Sequence, residues 1–96
     1  MIKKISDMTA ADKADYLEKV KLSLLHEQGV SWEFMEAKIQ EEIDSTFDNE
    51  KFAKMDPDSR IDAAYARKEF GDKKPEIVDY ILWMGKFVTK SDYVEW

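Results

Sequence analysis

The sequence contains few side chains whose type and spacing could support catalysis or metal binding. His26 is the only histidine among 96 residues, and the chain has no cysteine. Disulfides, thiolate zinc sites and cysteine nucleophiles are therefore excluded. Glu33 and Glu36 are spaced like carboxylate ligands in a helix bundle, but such a site needs Glu-x-x-His pairs on facing helices. A single histidine cannot supply them, so we expect no metal and no cofactor.

The remaining motifs do not indicate an enzyme either. Segment 56–60 begins like a calcium-binding EF-hand loop, but Ile61 replaces the required glycine and Arg67 the required glutamate. No phosphate-binding or dinucleotide-binding glycine pattern is present. His26 lies near the end of a predicted helix without a neighbouring nucleophile, where a structural role at the helix dipole is the more frequent one. We therefore predict a protein that is not an enzyme.

The net charge of −6 is concentrated in one quarter of the sequence. Eight carboxylates and one lysine, Lys38, lie between Glu27 and Glu50, whereas the other residues include 13 acidic and 14 basic side chains. No basic stripe is present, so we expect no direct binding to nucleic acid and no binding to anionic membranes. The turn around Gly29 resembles that of a helix-turn-helix, but the helix that would enter the major groove is acidic.

The chain also lacks the sequence signals of export or membrane insertion. The N-terminal residues Met-Ile-Lys-Lys-Ile-Ser do not form the apolar run of a signal peptide. No stretch reaches the roughly 20 apolar residues that a membrane-spanning helix needs. We therefore expect a cytoplasmic protein.

Composition and spacing predict a single all-α domain over residues 1–96, built as a small bundle of four or five helices. Hydrophobic residues make up 44% of the chain, while only three glycines and two prolines occur, which argues against a multi-turn β fold. The N-terminal segment 1–8 is either a short strand or a frayed tail. The C-terminal tail 91–96 alternates between polar and apolar residues as a strand does.

Capping residues locate the helices. Thr9, Ser31 and Asp56 are suitable N-caps, and Gly29 and Gly71 are suitable residues for helix ends. The predicted helices cover residues 10–28, 32 onwards, 57–70 and 75–88. Segment 45–55 either continues the second helix or forms a short helix of its own over 50–55.

The last two predicted helices are apolar on more than one side. The third has two apolar strips, which are Ile61, Ala64 and Tyr65 on one side and Ala63, Ala66 and Phe70 on another. We expect it to lie between two neighbours. The fourth has a broad apolar arc, so it is either the central helix of the bundle or a contact with another chain.

Two surfaces are candidates for partner binding. On the second helix, Phe34 projects almost opposite the apolar stripe, among carboxylates, and the residues predicted to bind there are Glu33, Phe34, Glu41, Glu42 and Asp44. The alternative is that Phe34 packs beneath the N-terminal segment or the C-terminal tail. The second candidate surface includes Tyr93 and Trp96, which either complete the core or meet a partner.

These features favour a non-enzymatic interaction protein whose partner has a basic surface. Short acidic helical chains of this type are typical of phage-encoded or immunity-type inhibitors, which include mimics of nucleic acid. We therefore expect an inhibitor or regulator of a basic or nucleic-acid-handling protein. The alternative is a structural subunit that forms a homodimer through its apolar fourth helix and aromatic tail.

Overall fold

The computed structural model describes residues 1–71 and 73–96. In this part of the chain, five helices and one two-stranded sheet form, which confirms the predicted all-α bundle. The elements in chain order are β1 (Ile2–Lys4), a single 3-10 turn (Ile5–Asp7), α1 (Ala10–Gln28), α2 (Trp32–Thr46), α3 (Asn49–Ala53), α4 (Pro57–Phe70), α5 (Ile77–Thr89) and β2 (Tyr93–Glu95).

Helix α1 begins and ends where its capping residues predict. The Thr9 hydroxyl accepts a hydrogen bond from the Asp12 backbone N–H at 3.1 Å, and the Asp12 carboxylate accepts one from the Thr9 N–H at 3.0 Å. This reciprocal pair is a capping box. At the other end, Gly29 adopts a φ of 65°, a left-handed conformation that glycine reaches without steric cost.

The segment between α2 and α4 is not a continuous helix. Helix α2 ends at Thr46, and the Asp48 carboxylate then accepts a hydrogen bond from the Lys51 N–H at 2.9 Å to start α3. An aspartate that caps a new helix satisfies N–H groups that an uninterrupted helix would have bonded internally. Segment 45–55 therefore contains the end of α2 and a separate short helix, α3, which covers 49–53 instead of 50–55.

The bounds of the last two helices are close to those predicted. Asp56 caps α4 by accepting from the Ser59 N–H at 3.2 Å, and Pro57 occupies the first helical position. Helix α4 ends at Phe70, as predicted. Helix α5 begins at Ile77, two residues later than predicted, and extends one residue further, to Thr89.

The two chain termini pair with each other. Strands β1 and β2 are antiparallel, with Lys3 opposite Val94, and the Met1 ammonium donates to the Trp96 carbonyl at 2.9 Å. The N-terminal segment is thus a strand and not a frayed tail. An ion pair of 2.7 Å between Lys3 and Asp12 ties this ribbon to the start of α1.

Helices α2, α4 and α5 form the centre of the core. Ile39 and Ile43 of α2, Ala66 of α4 and Tyr80 of α5 make up one buried cluster. Helix α5 is also buried at Leu82, about 160° around the helix from Tyr80. Helix α5 is thus covered on opposite sides, but it is α2 that contacts each of the other helices, α1, α3, α4 and α5.

Parts of the predicted core are exposed. On α4 only the strip that contains Ala63 and Ala66 is buried, while Ile61 is 57% exposed and Tyr65 52%. Helix α4 does contact two neighbouring helices, α2 and α3, as predicted, but these contacts leave the strip with Ile61 and Tyr65 exposed. Val88, in the last turn of α5, is 78% exposed. No described helix has the length and apolarity to span a bilayer.

The burial pattern predicts how stability responds to truncation. Ile43→Ala should lower the free energy of unfolding by about 3 kcal/mol, because it removes a fully buried side chain and leaves a cavity. Leu22→Ala, on the exposed side of α1, should change it by less than about 0.5 kcal/mol. Urea unfolding followed by circular dichroism measures both. Equal losses in the two variants would contradict this assignment of the core.

Candidate functional site

The outer face of α2 presents the predicted aromatic side chain to solvent. Phe34 is 55% exposed, so the alternative that it packs beneath the terminal segments is wrong. The Lys38 ammonium lies 4.7 Å from the centre of its ring and covers one face of it in a cation–π contact. Glu33 and Glu41 are exposed on the same side of the helix. The aromatic side chain is therefore accessible, but it already has a cation beside it.

The acidic residues predicted to act together on α2 do not share one face. Glu42 and Asp44 are two positions apart, which places them about 160° from each other around the helix. Asp44 accepts hydrogen bonds from the Lys74 ammonium at 2.9 Å and from the Gln40 amide at 3.1 Å, which lower the pKa of its carboxyl. The structure therefore separates Asp44 from Glu42 and engages it within the chain.

Most carboxylates of the acidic segment 27–50 have partners inside the molecule. Five of the eight accept hydrogen bonds from other side chains or from the backbone, namely Glu27, Glu36, Asp44, Asp48 and Glu50. Among the described residues, Glu33 and Glu41 have neither a hydrogen bond nor an ion pair through their carboxylates. The segment is thus less available to a partner than its formal charge indicates.

The two aromatic residues of the C-terminal tail differ in their surroundings. Tyr93 of β2 is 61% exposed. Trp96 is half-buried, and it lines a shallow cavity of about 280 Å³ together with Tyr16 and Val20 of α1. Trp96 therefore helps to hold α1 against the ribbon, while Tyr93 remains accessible.

A larger groove lies where α2, α4 and α5 meet, and its volume is about 460 Å³. Tyr80, Trp83 and Met84 line it from α5, with Phe87 and Val88 in the exposed last turn of the same helix. The remaining lining residues come from α2, from α4 and from the turn before α4, namely Glu42, Ser45, Thr46, Met55, Asp56, Ser59, Asp62 and Ala63. Helix α5 thus forms one apolar wall of the groove.

An aromatic row runs from the core along this wall and continues past the groove to Tyr65 of α4. The ring centres of Tyr80 and Trp83 are 5.6 Å apart, those of Trp83 and Phe87 5.2 Å, and those of Phe87 and Tyr65 5.3 Å. The rings of Trp83 and Phe87 are stacked, with 23° between their planes. Because each ring contacts the next, the row forms a continuous apolar surface.

The rim of the groove is acidic. Glu42, Asp56 and Asp62 line it, and no lysine or arginine does so in the described part of the chain. Hydrogen bonds from Ser59 lower the pKa of Asp56, so its carboxyl is ionised at neutral pH. Carboxylates of one sign beside a low-dielectric wall concentrate their field in the cleft and attract cations.

Beneath the rim lies a buried hydroxyl. Tyr80 is 3% exposed, and its hydroxyl lies near Thr46 and Glu42. Burial, reinforced by the negative charge of Glu42, raises the pKa of Tyr80 to about 12. The hydroxyl is therefore neutral at physiological pH.

A second cavity, of about 390 Å³, differs in its charge. It lies between the 3-10 turn and α5, and its lining mixes both signs. The Lys86 ammonium lies 3.7 Å from a carboxylate oxygen of Glu69 and 3.6 Å from one of Asp92. Its charges are thus largely paired with one another, whereas those of the groove between α2, α4 and α5 have one sign.

Sequence patterns predict only one of the acidic residues at the rim of the groove between α2, α4 and α5. Glu42 was a predicted binding residue, but Asp56 was recognised only as a helix cap and Asp62 was not singled out. The rim combines residues from the end of α2 and the start of α4, and no spacing along the chain shows that they meet. The available signal was the broad aromatic side of α5, which includes Trp83 and Phe87.

Comparison with known proteins does not assign the chain to a family. It matches no family model, no curated protein and no solved structure. Within the described residues, no group of three or more His, Asp or Glu side chains is arranged to hold a metal ion. The chemistry of the groove is therefore the basis for proposing a function.

The raised pKa of Tyr80 predicts a loss of stability in alkali. A tyrosine whose pKa is 10.0 when unfolded and about 12 when folded favours folding fully below pH 10, and this contribution is lost as the pH rises to 12. Urea midpoints between these pH values should therefore fall more steeply for the wild type than for Tyr80→Phe.

Tyr16→Phe is the matched control, because burial also raises the pKa of Tyr16 but away from the groove. This variant should remove only the part of the stability loss in alkali that is due to Tyr16. Parallel pH profiles for the wild type and Tyr80→Phe would show that the Tyr80 hydroxyl is not buried in solution.

Proposed function

We propose that the protein is a non-enzymatic interaction module that binds a cationic, partly apolar segment of another protein in the groove between α2, α4 and α5. The observation that carries this proposal is the combination of an aromatic wall with the carboxylates of Glu42, Asp56 and Asp62 and no opposing lysine or arginine among the described lining residues. An apolar surface with charge of one sign at its edge suits a ligand with the complementary pattern.

The two parts of the groove have different roles in binding. Trp83 and Phe87 offer stacked aromatic surface near the mouth, and buried aromatic contacts of this kind dominate the affinity of most interfaces. The carboxylates on the rim act over a longer range, so they accelerate the approach of a basic partner and orient it. Apolar side chains on the wall flanked by lysine or arginine at the rim would use both.

The pKa shifts of two groove residues favour a binding role over acid–base catalysis. The shifts of Tyr80 and Asp56 both move the pKa away from neutrality, to about 12 in Tyr80 and downwards in Asp56. General acid–base catalysis at neutral pH requires the opposite, a pKa brought towards the working pH.

Basic, partly apolar surfaces are common on proteins that handle nucleic acid, so an inhibitor or regulator of such a protein is the role we favour. A mimic of nucleic acid would need a row of free carboxylates in place of phosphates. Because five of the eight carboxylates in segment 27–50 are engaged internally, recognition through the groove is better supported than mimicry along α2.

A structural role through self-association of α5 remains the second candidate. It is favoured by the exposure of Val88, at 78%, and of Phe87, at 37%, in the last turn of α5. The rest of that helix is packed within the chain. Of the predicted self-association surface, only this turn and Tyr93 therefore remain accessible.

Neutralising the rim should weaken binding to a basic peptide. The probe is a fluorescently labelled amphipathic helical peptide of leucine and lysine, and its binding is measured by anisotropy. The double variant Glu42→Gln with Asp62→Asn should reduce affinity by roughly tenfold and flatten the salt dependence, because two rim charges are removed while the shape is kept.

The matched control is Glu33→Gln with Glu41→Gln, which makes the same change in net charge on the outer face of α2. It should bind almost as the wild type does, and a peptide with glutamate in place of lysine should not bind. Equal losses in the two double variants would mean that net charge, and not the groove, attracts the peptide. No binding of the lysine peptide to the wild type would contradict the proposal.

A further inference from the structure

The outer face of α4 is exposed in the described chain, and its one aromatic contact is at its edge, where the ring centre of Tyr65 lies 5.3 Å from that of Phe87. Ile61 and Tyr65 are more than half exposed, and Ala64 between them is exposed as well. These residues are spaced three and four positions apart, which places them on one side of a helix in the pattern used for helix packing. They do not line the groove, whose α4 residues are Ser59, Asp62 and Ala63.

Opposite charges stand at the two ends of this apolar strip. Asp58 lies in the first turn of α4, and Lys68 lies in the last. Both are exposed, and neither forms an ion pair with another described residue. Arg60 is also exposed, one residue before the strip. The face is therefore negative at one end, apolar in the middle and positive at the other end.

We propose that this face binds a second copy of the chain, with the two α4 helices antiparallel. A two-fold axis that crosses α4 between Ile61 and Ala64 places Ile61 of each copy opposite Ala64 of the other copy. The small Ala64 side chain then leaves room for Ile61, which allows the helices to approach closely.

The same axis matches the polar residues of the face. It places Asp58 of each copy near Lys68 of the other, so the two ends attract. It also places Arg60 beside the exposed ring of Tyr65, where a guanidinium forms a cation–π contact. A closed two-fold dimer needs a surface that is its own complement, and the order of residues on α4 meets this requirement.

The exposed area of the chain agrees with a missing contact. The accessible surface is 6706 Å². A compact monomer of 11.3 kDa exposes about 5,700 Å², so roughly 1,000 Å² is in excess. This excess is similar to the area of about 800 Å² that one subunit contributes to a standard interface.

Parallel packing of two α4 helices would bring like charges together at both ends, which disfavours that arrangement.

Sedimentation velocity across a concentration series up to about 1 mM tests the proposal. The wild-type mass should rise from that of a monomer towards that of a dimer. Ala64→Arg should remain monomeric, because a long cation replaces the small residue at the axis. Ala37→Arg is the matched control on the exposed side of α2, and it should associate as the wild type does.

A charge-exchange cycle tests the antiparallel arrangement. Asp58→Lys and Lys68→Asp should each weaken association by roughly tenfold, because each places like charges together at both ends of the dimer. The double variant should recover most of the affinity. Urea unfolding of every variant confirms that the fold is kept, so a lost dimer is not mistaken for a lost structure.

Three results would overturn the proposal. They are a wild type that stays monomeric over the whole series, association that Ala64→Arg does not weaken, and a double variant with no recovery. The groove is tested separately, since monomeric Ala64→Arg should still bind the lysine peptide with wild-type affinity. A dimer that fails while peptide binding persists would count against the α4 contact alone.

Discussion

The contact on which the rest of the fold depends is the meeting of α2 and α4 at Ile43 and Ala66, the two described residues with no exposed surface. Ala66 has only a methyl group, so α4 can come close enough to α2 for Ile43 to be fully enclosed. Tyr80 of α5 closes the cluster. This cluster joins the three helices. From it, the aromatic residues of α5 extend to the surface. The groove between the three helices follows from this convergence, because helices that cross in the core move apart along their length.

This narrow core also explains why other elements are attached by their edges. Helix α1 is 19 residues long and has no buried residue. It is held by ion pairs from Lys13 to Asp79 and from Lys3 to Asp12, each 2.7 Å long, and by the half-buried ring of Trp96. The pairing of the two termini adds a link that spans the whole chain. Such partly exposed ion pairs each stabilise weakly, so the attachment of α1 depends on their combination with the ribbon.

The features that the sequence predicted correctly are those that depend on residues within four positions of one another. The caps at Thr9 and Asp56 and the turn at Gly29 have hydrogen bonds or a backbone conformation decided locally, so the helix bounds could be predicted. The burial of a face depends on which helices are available to cover it. Helix α4 has two apolar strips, but the bundle covers only one, and the exposure of Ile61 could not follow from spacing. Phe34 is exposed for the same reason, since neither terminal segment packs over it.

Charge shows the same difference between local pattern and tertiary arrangement. Along the chain, the acidic character belongs to segment 27–50, yet much of it is engaged by caps and side-chain hydrogen bonds such as those of Asp48 and Asp44. In the folded molecule, the carboxylates of the groove come from both the acidic segment and the nearly neutral remainder. Glu42 lies on one side, Asp56 and Asp62 on the other, and an aromatic wall lies between them. These three carboxylates are exposed but lie beside one apolar wall, whereas those of α2 are distributed around the helix. Under the proposed function, a basic partner is therefore recognised where elements converge, and not where acidic residues are most frequent in the sequence.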